Sequence, residues 1–75
     1  MNLLSKEAHD GIMYVRTVLK RFNILIYTGN QLDDIVLMDL ELDDLFESKT
    51  VEDDEFRNSK LALRRAYREL GGNEE

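Results

Sequence analysis

Apolar residues recur along the first part of this chain at steps of three and four, the spacing of one buried face of an α-helix. The first helix is predicted over residues 11–22, and Asp10 is a suitable N-cap for it. Leu4 and Ala8 extend the same apolar stripe backwards, so residues 1–10 are either a helical extension or a flexible segment. The core-facing positions of this helix are Ile12, Val15, Leu19 and Phe22.

A short apolar run follows the first helix. Residues 24–27, Ile-Leu-Ile-Tyr, are too few for a helix and have no partner strand elsewhere, so they are predicted to form an extended connector packed on the core. Thr28, Gly29 and Asn30 then turn the chain. The second helix is predicted over residues 31–47, with either Thr28 or Asn30 as its N-cap. Its core-facing positions are Leu32, Ile35, Met38, Leu42, Leu45 and Phe46.

The third helix is predicted to begin at Thr50. The T-x-x-D spacing from Thr50 to Asp53 is a capping signature, and the acids at 52–55 suit the positive end of the helix dipole. Gly71 and Gly72 mark the end of this helix, and residues 73–75 are predicted to form a loose tail. Its buried face is predicted to contain Phe56, Leu63, Ala66, Tyr67 and Leu70.

These segments predict an all-α fold, a three-helix bundle with a short extended connector between its first two helices. The absence of proline and the 35% of charged residues favour long, solvated helices over a β-sandwich. A chain of 75 residues is expected to form one domain, here over residues 11–72. Because it has no cysteine for a disulfide, self-association is the reinforcement expected for its small core.

Composition also restricts the chemistry. With no cysteine and His9 as the only histidine, the chain cannot assemble the usual zinc site. Its acids lack the glycine and loop length of an EF-hand, and no Glu-x-x-His pair is present for a di-iron site. We therefore predict no cofactor, no metal and no catalytic residue. Without a signal peptide or a membrane-spanning run, a cytoplasmic location without membrane contact is expected.

The net charge of −6 is unevenly distributed. Residues 11–32 contain three cations and no acid, whereas residues 33–55 contain eleven acids and one cation. Residues 56–70 contain five cations and one acid. The first and third helices are therefore predicted to be basic and the second acidic.

Cations at helical steps on the first and third helices define candidate phosphate-binding flanks, because guanidinium forks suit phosphate oxygens. A tyrosine near them offers a ring on which a base can stack. The candidate residues are Arg16, Lys20, Tyr27, Arg57, Lys60, Arg64 and Arg68. Alternatively, the cations pair with acids of the second helix or solvate a helix face, and Tyr27 is a core ring. A helix-turn-helix is disfavoured, because the third helix begins with four acids at residues 52–55.

Several short motifs follow one another across residues 15–68. They are Leu19-Lys20-Arg21-Phe22, Ile26-Tyr27-Thr28-Gly29, Asp34-Ile35, Leu37-Met38, Glu41-Leu42, Leu45-Phe46 and Leu61-Ala62-Leu63-Arg64-Arg65. Their order and spacing resemble the YqgQ-like family. The resemblance implies a three-helix fold and a cytosolic protein, with nucleic-acid binding as a suggested role. This sequence has Val36 and Leu40 where the resemblance implies acidic residues.

Two functional hypotheses follow from these patterns. In the first, the chain is a non-enzymatic protein-interaction or structural module. Val36 and Leu40 widen the apolar face of the second helix beyond the need of the core, and they contact a second copy or another protein. In the second, the basic flanks bind single-stranded nucleic acid or another phosphorylated ligand.

Overall fold

The computed structural model describes residues 4–72, which form three α-helices and no strand. Helix α1 spans Lys6–Lys20, α2 spans Gln31–Glu47 and α3 spans Asp53–Glu69. The predicted all-α bundle is therefore confirmed, including the non-helical connector between its first two helices. The bounds predicted for the second helix are also confirmed. The tail predicted at residues 73–75 lies outside the described residues.

Helix α1 begins earlier than predicted, and Asp10 does not cap it. The hydroxyl of Ser5 accepts a hydrogen bond from the Ala8 N–H at 3.1 Å, so Ser5 is the N-cap. Asp10 lies inside the helix and pairs with Lys6 at 3.0 Å. Ser5 is fixed in turn by Glu69, whose carboxylate accepts from the Ser5 N–H and hydroxyl. Residues 6–10 are thus the first part of α1, and its start lies beside the end of α3.

All three helices end in the same hydrogen-bonded turn, with one residue in the left-handed region. These residues are Asn23, Lys49 and Gly71, at φ values of 63°, 58° and 86°. At the end of α3, the Gly72 N–H donates to the Tyr67 carbonyl and the Gly71 N–H to that of Arg68. The predicted glycine stop of α3 is confirmed. The first helix ends at Lys20 rather than Phe22.

Helix α3 begins at Asp53, so the prediction that it starts at Thr50 was wrong. The Thr50 N–H donates to the Leu45 carbonyl, and its hydroxyl lies 2.7 Å from that of Ser48. Thr50 therefore belongs to the turn that ends α2 and is not available as a cap. Glu52 occupies the N-cap position without a side-chain hydrogen bond to the helix.

The core lies between the three helices and includes Val51 from the second loop. Helices α1 and α3 approach closely where Gly11 faces Ala62, since a β-carbon added at Gly11 would lie 3.0 Å from the Ala62 β-carbon. Phe46, predicted to face the core, is instead exposed and stacks on Phe56 with ring centroids 4.1 Å apart. The buried apolar residues are Ala8, Ile12, Val15, Val18, Leu19, Ile35, Met38, Leu42, Val51, Leu63 and Ala66.

Candidate functional site

An ion pair joins α1, the connector and the start of α2. The Arg16 guanidinium lies 3.2 Å from a carboxylate oxygen of Asp34 and also donates to the Ile26 carbonyl. Thr28 donates to the other oxygen of Asp34 through its N–H at 2.8 Å and its hydroxyl at 2.7 Å. The side chains of Arg16 and Asp34 are only 17% and 8% exposed. This junction holds the second half of the connector against α1 and α2.

The protonation of Asp34 follows from these contacts. Burial alone would raise the pKa of the Asp34 carboxyl above its ordinary value of 3.8. The hydrogen bonds from Thr28 and the neighbouring Arg16 charge outweigh burial, so the pKa of Asp34 lies below 3.8. The carboxylate is therefore charged at neutral pH and compensates the charge of Arg16.

Tyr27 lies on the surface beside this junction. Tyr27 is 69% exposed, so the interpretation of Tyr27 as a core ring was wrong. The Arg16 guanidinium carbon sits 4.1 Å from the centre of the Tyr27 ring, at cation–π distance. Arg16, Lys20 and Tyr27 line a cleft of about 350 Å³ between α1 and the connector, together with Met13 and Leu25.

Lys60 forms a second bridge, from α3 to α2. Its ammonium lies 2.9 Å from a carboxylate oxygen of Asp39 and 2.7 Å from one of Asp43. Burial would lower the pKa of Lys60, but the hydrogen bonds that its ammonium donates to these two carboxylates raise the pKa above its ordinary value of 10.5. For Arg16 and Lys60 the structure thus shows the alternative geometry, in which cations pair with acids of α2.

Next to Lys60 a groove of about 300 Å³ runs between α2 and α3, called here the α2–α3 groove. Val36 and Leu40 lie one helical turn apart on its α2 side and are 47% and 55% exposed. Both residues predicted for an interface therefore lie in one groove. The groove is lined by Ile35, Val36, Asp39, Leu40, Lys60, Leu63, Arg64 and Tyr67.

The residues predicted to bind phosphate are distributed over several surfaces. Lys60 and Arg64 line the α2–α3 groove, whereas Arg57 pairs with Asp54 on its own helix at 3.1 Å. Arg68 is exposed near the end of α3. Arg16, Lys20 and Tyr27 line the separate cleft beside the connector.

The orientation of α1 against α3 explains this distribution. Ser5 contacts Glu69 and Arg21 contacts Glu55 at 2.6 Å, so the two helices are antiparallel. Lys20 therefore lies at the end of the bundle where α3 begins, and Arg68 lies at the opposite end. Nucleic-acid binding by these flanks stays a prediction.

Two residues of the groove and junction were missed from sequence. Tyr67 packs against the core as predicted, but it also lines the groove, and its ring lies against Gly72. Asp34 was not among the residues predicted for a site. Asp34 lies four residues before the buried Met38, on the core side of α2, whereas the neighbouring Asp33 is exposed. This helical spacing was the signal available in the sequence.

Among residues 4–72, none of the helices has the length and hydrophobicity needed to cross a membrane. Comparison with curated proteins and with solved structures gave no match. A family model, that of the YqgQ-like family, matches residues 11–69, which include most of α1 and all of α2 and α3. This match covers well over half of the chain and agrees with the motif order seen in the sequence. The chain therefore belongs to the YqgQ-like family.

Proposed function

We propose that this protein is a non-enzymatic interaction module that self-associates through the α2–α3 groove. The observation that carries the proposal is the exposure of Val36 and Leu40 on the rim of one groove. Exposed aliphatic side chains that rim a groove are typical of protein-binding surfaces. Burial of both side chains in a dimer would remove them from water and add to the modest core of a short chain.

The charge of the two helices supports a second copy as the occupant. Helix α2 carries seven acids and no cation, while α3 carries five cations and four acids, three of them in its first turn. A two-fold axis along the groove places α2 of each copy opposite α3 of the other, because a two-fold contact is self-complementary. Acidic and basic surfaces then face each other around the aliphatic residues.

The experiment compares solution masses by light scattering over a range of concentrations. The wild type is expected to be a dimer, and the double variant Val36→Glu, Leu40→Glu a monomer with unchanged helical circular dichroism. The matched control is Met13→Glu, Leu61→Glu, which also introduces two carboxylates at exposed apolar positions, outside this groove. The control is expected to remain dimeric.

Two results would contradict the proposal. One is a wild-type protein that stays monomeric at every concentration. The other is a double variant of α2 that keeps the mass of a dimer, since the groove would then not be the contact.

A further inference from the structure

The connector has the burial pattern of a β-strand although it pairs with no strand in the described part of the chain. Residues 24–28 contain neither helix nor turn. Ile24 and Ile26 pack against the core, while Leu25 and Tyr27 are 66% and 69% exposed. Alternation with a period of two is the signature of an extended chain with one buried face.

The two edges of the connector differ in their hydrogen bonds. In an extended chain the N–H and C=O of one residue point to one edge, and those of the next residue point to the other. On the edge of Ile24 and Ile26, the Ile24 N–H donates to the Leu19 carbonyl at 3.1 Å. The Ile26 carbonyl accepts from Arg16. This edge is therefore held by α1.

The opposite edge belongs to Leu25 and Tyr27, and we call it the free edge. Within residues 4–72 the N–H and C=O groups of these two residues have no hydrogen-bond partner. Two donors and two acceptors thus lie in strand register beside two exposed apolar side chains. An unpaired strand edge of this kind is a template for pairing with another extended chain.

We propose that the free edge binds an acidic, extended segment of a partner protein by strand addition. The backbone groups of Leu25 and Tyr27 supply main-chain hydrogen bonds, and their side chains contact alternate side chains of the segment. The junction of Arg16 with Asp34 and Thr28 keeps the connector extended before binding, which lowers the entropy cost of association.

Charge favours an acidic partner over a second copy of this chain. Residues 11–32 contain Arg16, Lys20 and Arg21 and no acid. Lys20 is exposed, lines the same cleft as Leu25 and Tyr27, and forms no ion pair within the described residues. Arg16 and Arg21 already pair with Asp34 and Glu55. Two copies paired at this edge would bring their uncompensated Lys20 side chains together, whereas a carboxylate on the segment would compensate Lys20.

A nucleic-acid strand matches the free edge less well than a peptide does. Its phosphates would compensate the charge of Lys20, but it has no alternating N–H and C=O groups to pair with those of Leu25 and Tyr27. The proposal concerns a different surface from the α2–α3 groove. Its outcome is therefore independent of whether the protein forms a dimer through Val36 and Leu40.

The test begins with a random-peptide phage library selected against the full chain. Selected peptides are expected to be acidic with apolar residues at alternate positions. Each is then synthesised in two forms, N-methylated on one or the other set of alternate residues. Methylation of the set that faces the connector should weaken binding at least tenfold, because it removes main-chain donors, and methylation of the other set should not.

Protein variants and amide exchange locate the binding site. Leu25→Ser, Tyr27→Ser should lower the affinity for the peptide at least tenfold, while Leu61→Ser, at an exposed leucine of α3, should leave it unchanged. Exchange of the Leu25 and Tyr27 amide protons should slow when peptide binds.

Several results would overturn the proposal. They are a library that yields no binding peptide, and peptides whose binding responds equally to both methylation patterns. Self-association that is lost in the Leu25→Ser, Tyr27→Ser protein would instead assign the edge to a second copy. A labelled single-stranded oligonucleotide that binds in place of the peptides and depends on the same two residues would assign it to nucleic acid.

Discussion

Asp34 on α2 and Ser59 on α3 are both buried polar side chains, but their surroundings are opposite. Asp34 accepts two hydrogen bonds from Thr28 and pairs with Arg16. The Ser59 hydroxyl is fully buried and has no hydrogen-bond partner among residues 4–72. A buried polar group stabilises a fold only when its partners replace the water it has lost. Asp34 therefore stabilises the arrangement of the helices, whereas Ser59 lowers the stability of the fold by the free energy of desolvating its hydroxyl.

The difference matters because, of these two buried groups, Asp34 is the one whose contacts link separate elements of the bundle. It connects α1 through Arg16, the connector through Thr28 and Ile26, and α2 through Asp34 itself. Both proposed interaction surfaces depend on it: the connector presents the free edge, and α2 presents Val36 and Leu40. Ser59 lies on α3, and within residues 4–72 its hydroxyl forms no hydrogen bond to another helix or loop.

The largest effect is expected from Asp34→Asn, which removes the charge that compensates the buried Arg16. Breaking one partner of a buried ion pair costs about 3 kcal/mol, and a single small domain has only about 5 to 15 kcal/mol of stability. Urea unfolding should show this loss as a lower midpoint with an unchanged slope.

The matched control is Asp33→Asn. Asp33 also lies in the first turn of α2 and is exposed, so its change removes the same charge from the helix end without affecting Arg16. Its cost should stay below about 1 kcal/mol, the size of a helix-dipole effect. Equal losses in the two variants would show that the junction contributes no more than the dipole.

Lowering the pH should gradually remove the stabilisation that the Asp34 carboxylate contributes. The pKa of Asp34 lies below 3.8 in the folded protein, so its stabilisation is present above that value. It is lost as the pH falls through the folded pKa, where the carboxyl takes up a proton in both states. The difference in unfolding free energy between wild type and Asp34→Asn should therefore shrink below pH 3.8.

Asp10 and Glu69 also have pKa values below their ordinary ones, but both residues are present in the wild type and in Asp34→Asn. Subtracting the two pH profiles therefore isolates Asp34. A difference that stays constant down to the lowest accessible pH would contradict this assignment.

Local signals predicted the bounds of α2 well, although they left its N-cap open between Thr28 and Asn30. Asn30 caps the helix, because its side chain accepts a hydrogen bond from the Asp33 N–H at 3.0 Å. Ser5 and Asp10 are both good cap residues, and the choice between them depends on Glu69, which is distant in sequence. Thr50 looked like a cap, but the turn that ends α2 already uses it.

The candidate sites were predictable only in part for a related reason. Helical spacing placed Val36 and Leu40 outside the core, and their exposure agrees with that prediction. Spacing also placed Arg16 and Lys60 on helix flanks, but it could not tell which neighbour each long side chain reaches. That depends on packing between helices, which brings Arg16 to Asp34 and Lys60 to Asp39 and Asp43.

A smaller effect than that of Asp34→Asn is expected at Ser59, and its sign is opposite. Ser59→Ala removes a buried hydroxyl without a partner and places a better helix former in the middle of α3, so it should stabilise the protein by about 1 to 2 kcal/mol. Asn58→Ala, at the exposed neighbouring position, changes only the helix propensity and should raise the free energy of unfolding by about 0.5 kcal/mol. Urea midpoints of the two variants measure the difference. A gain at Ser59 no larger than that at Asn58 would mean that the hydroxyl is satisfied in solution, and the contrast with Asp34 would then lie in charge rather than in hydrogen bonding.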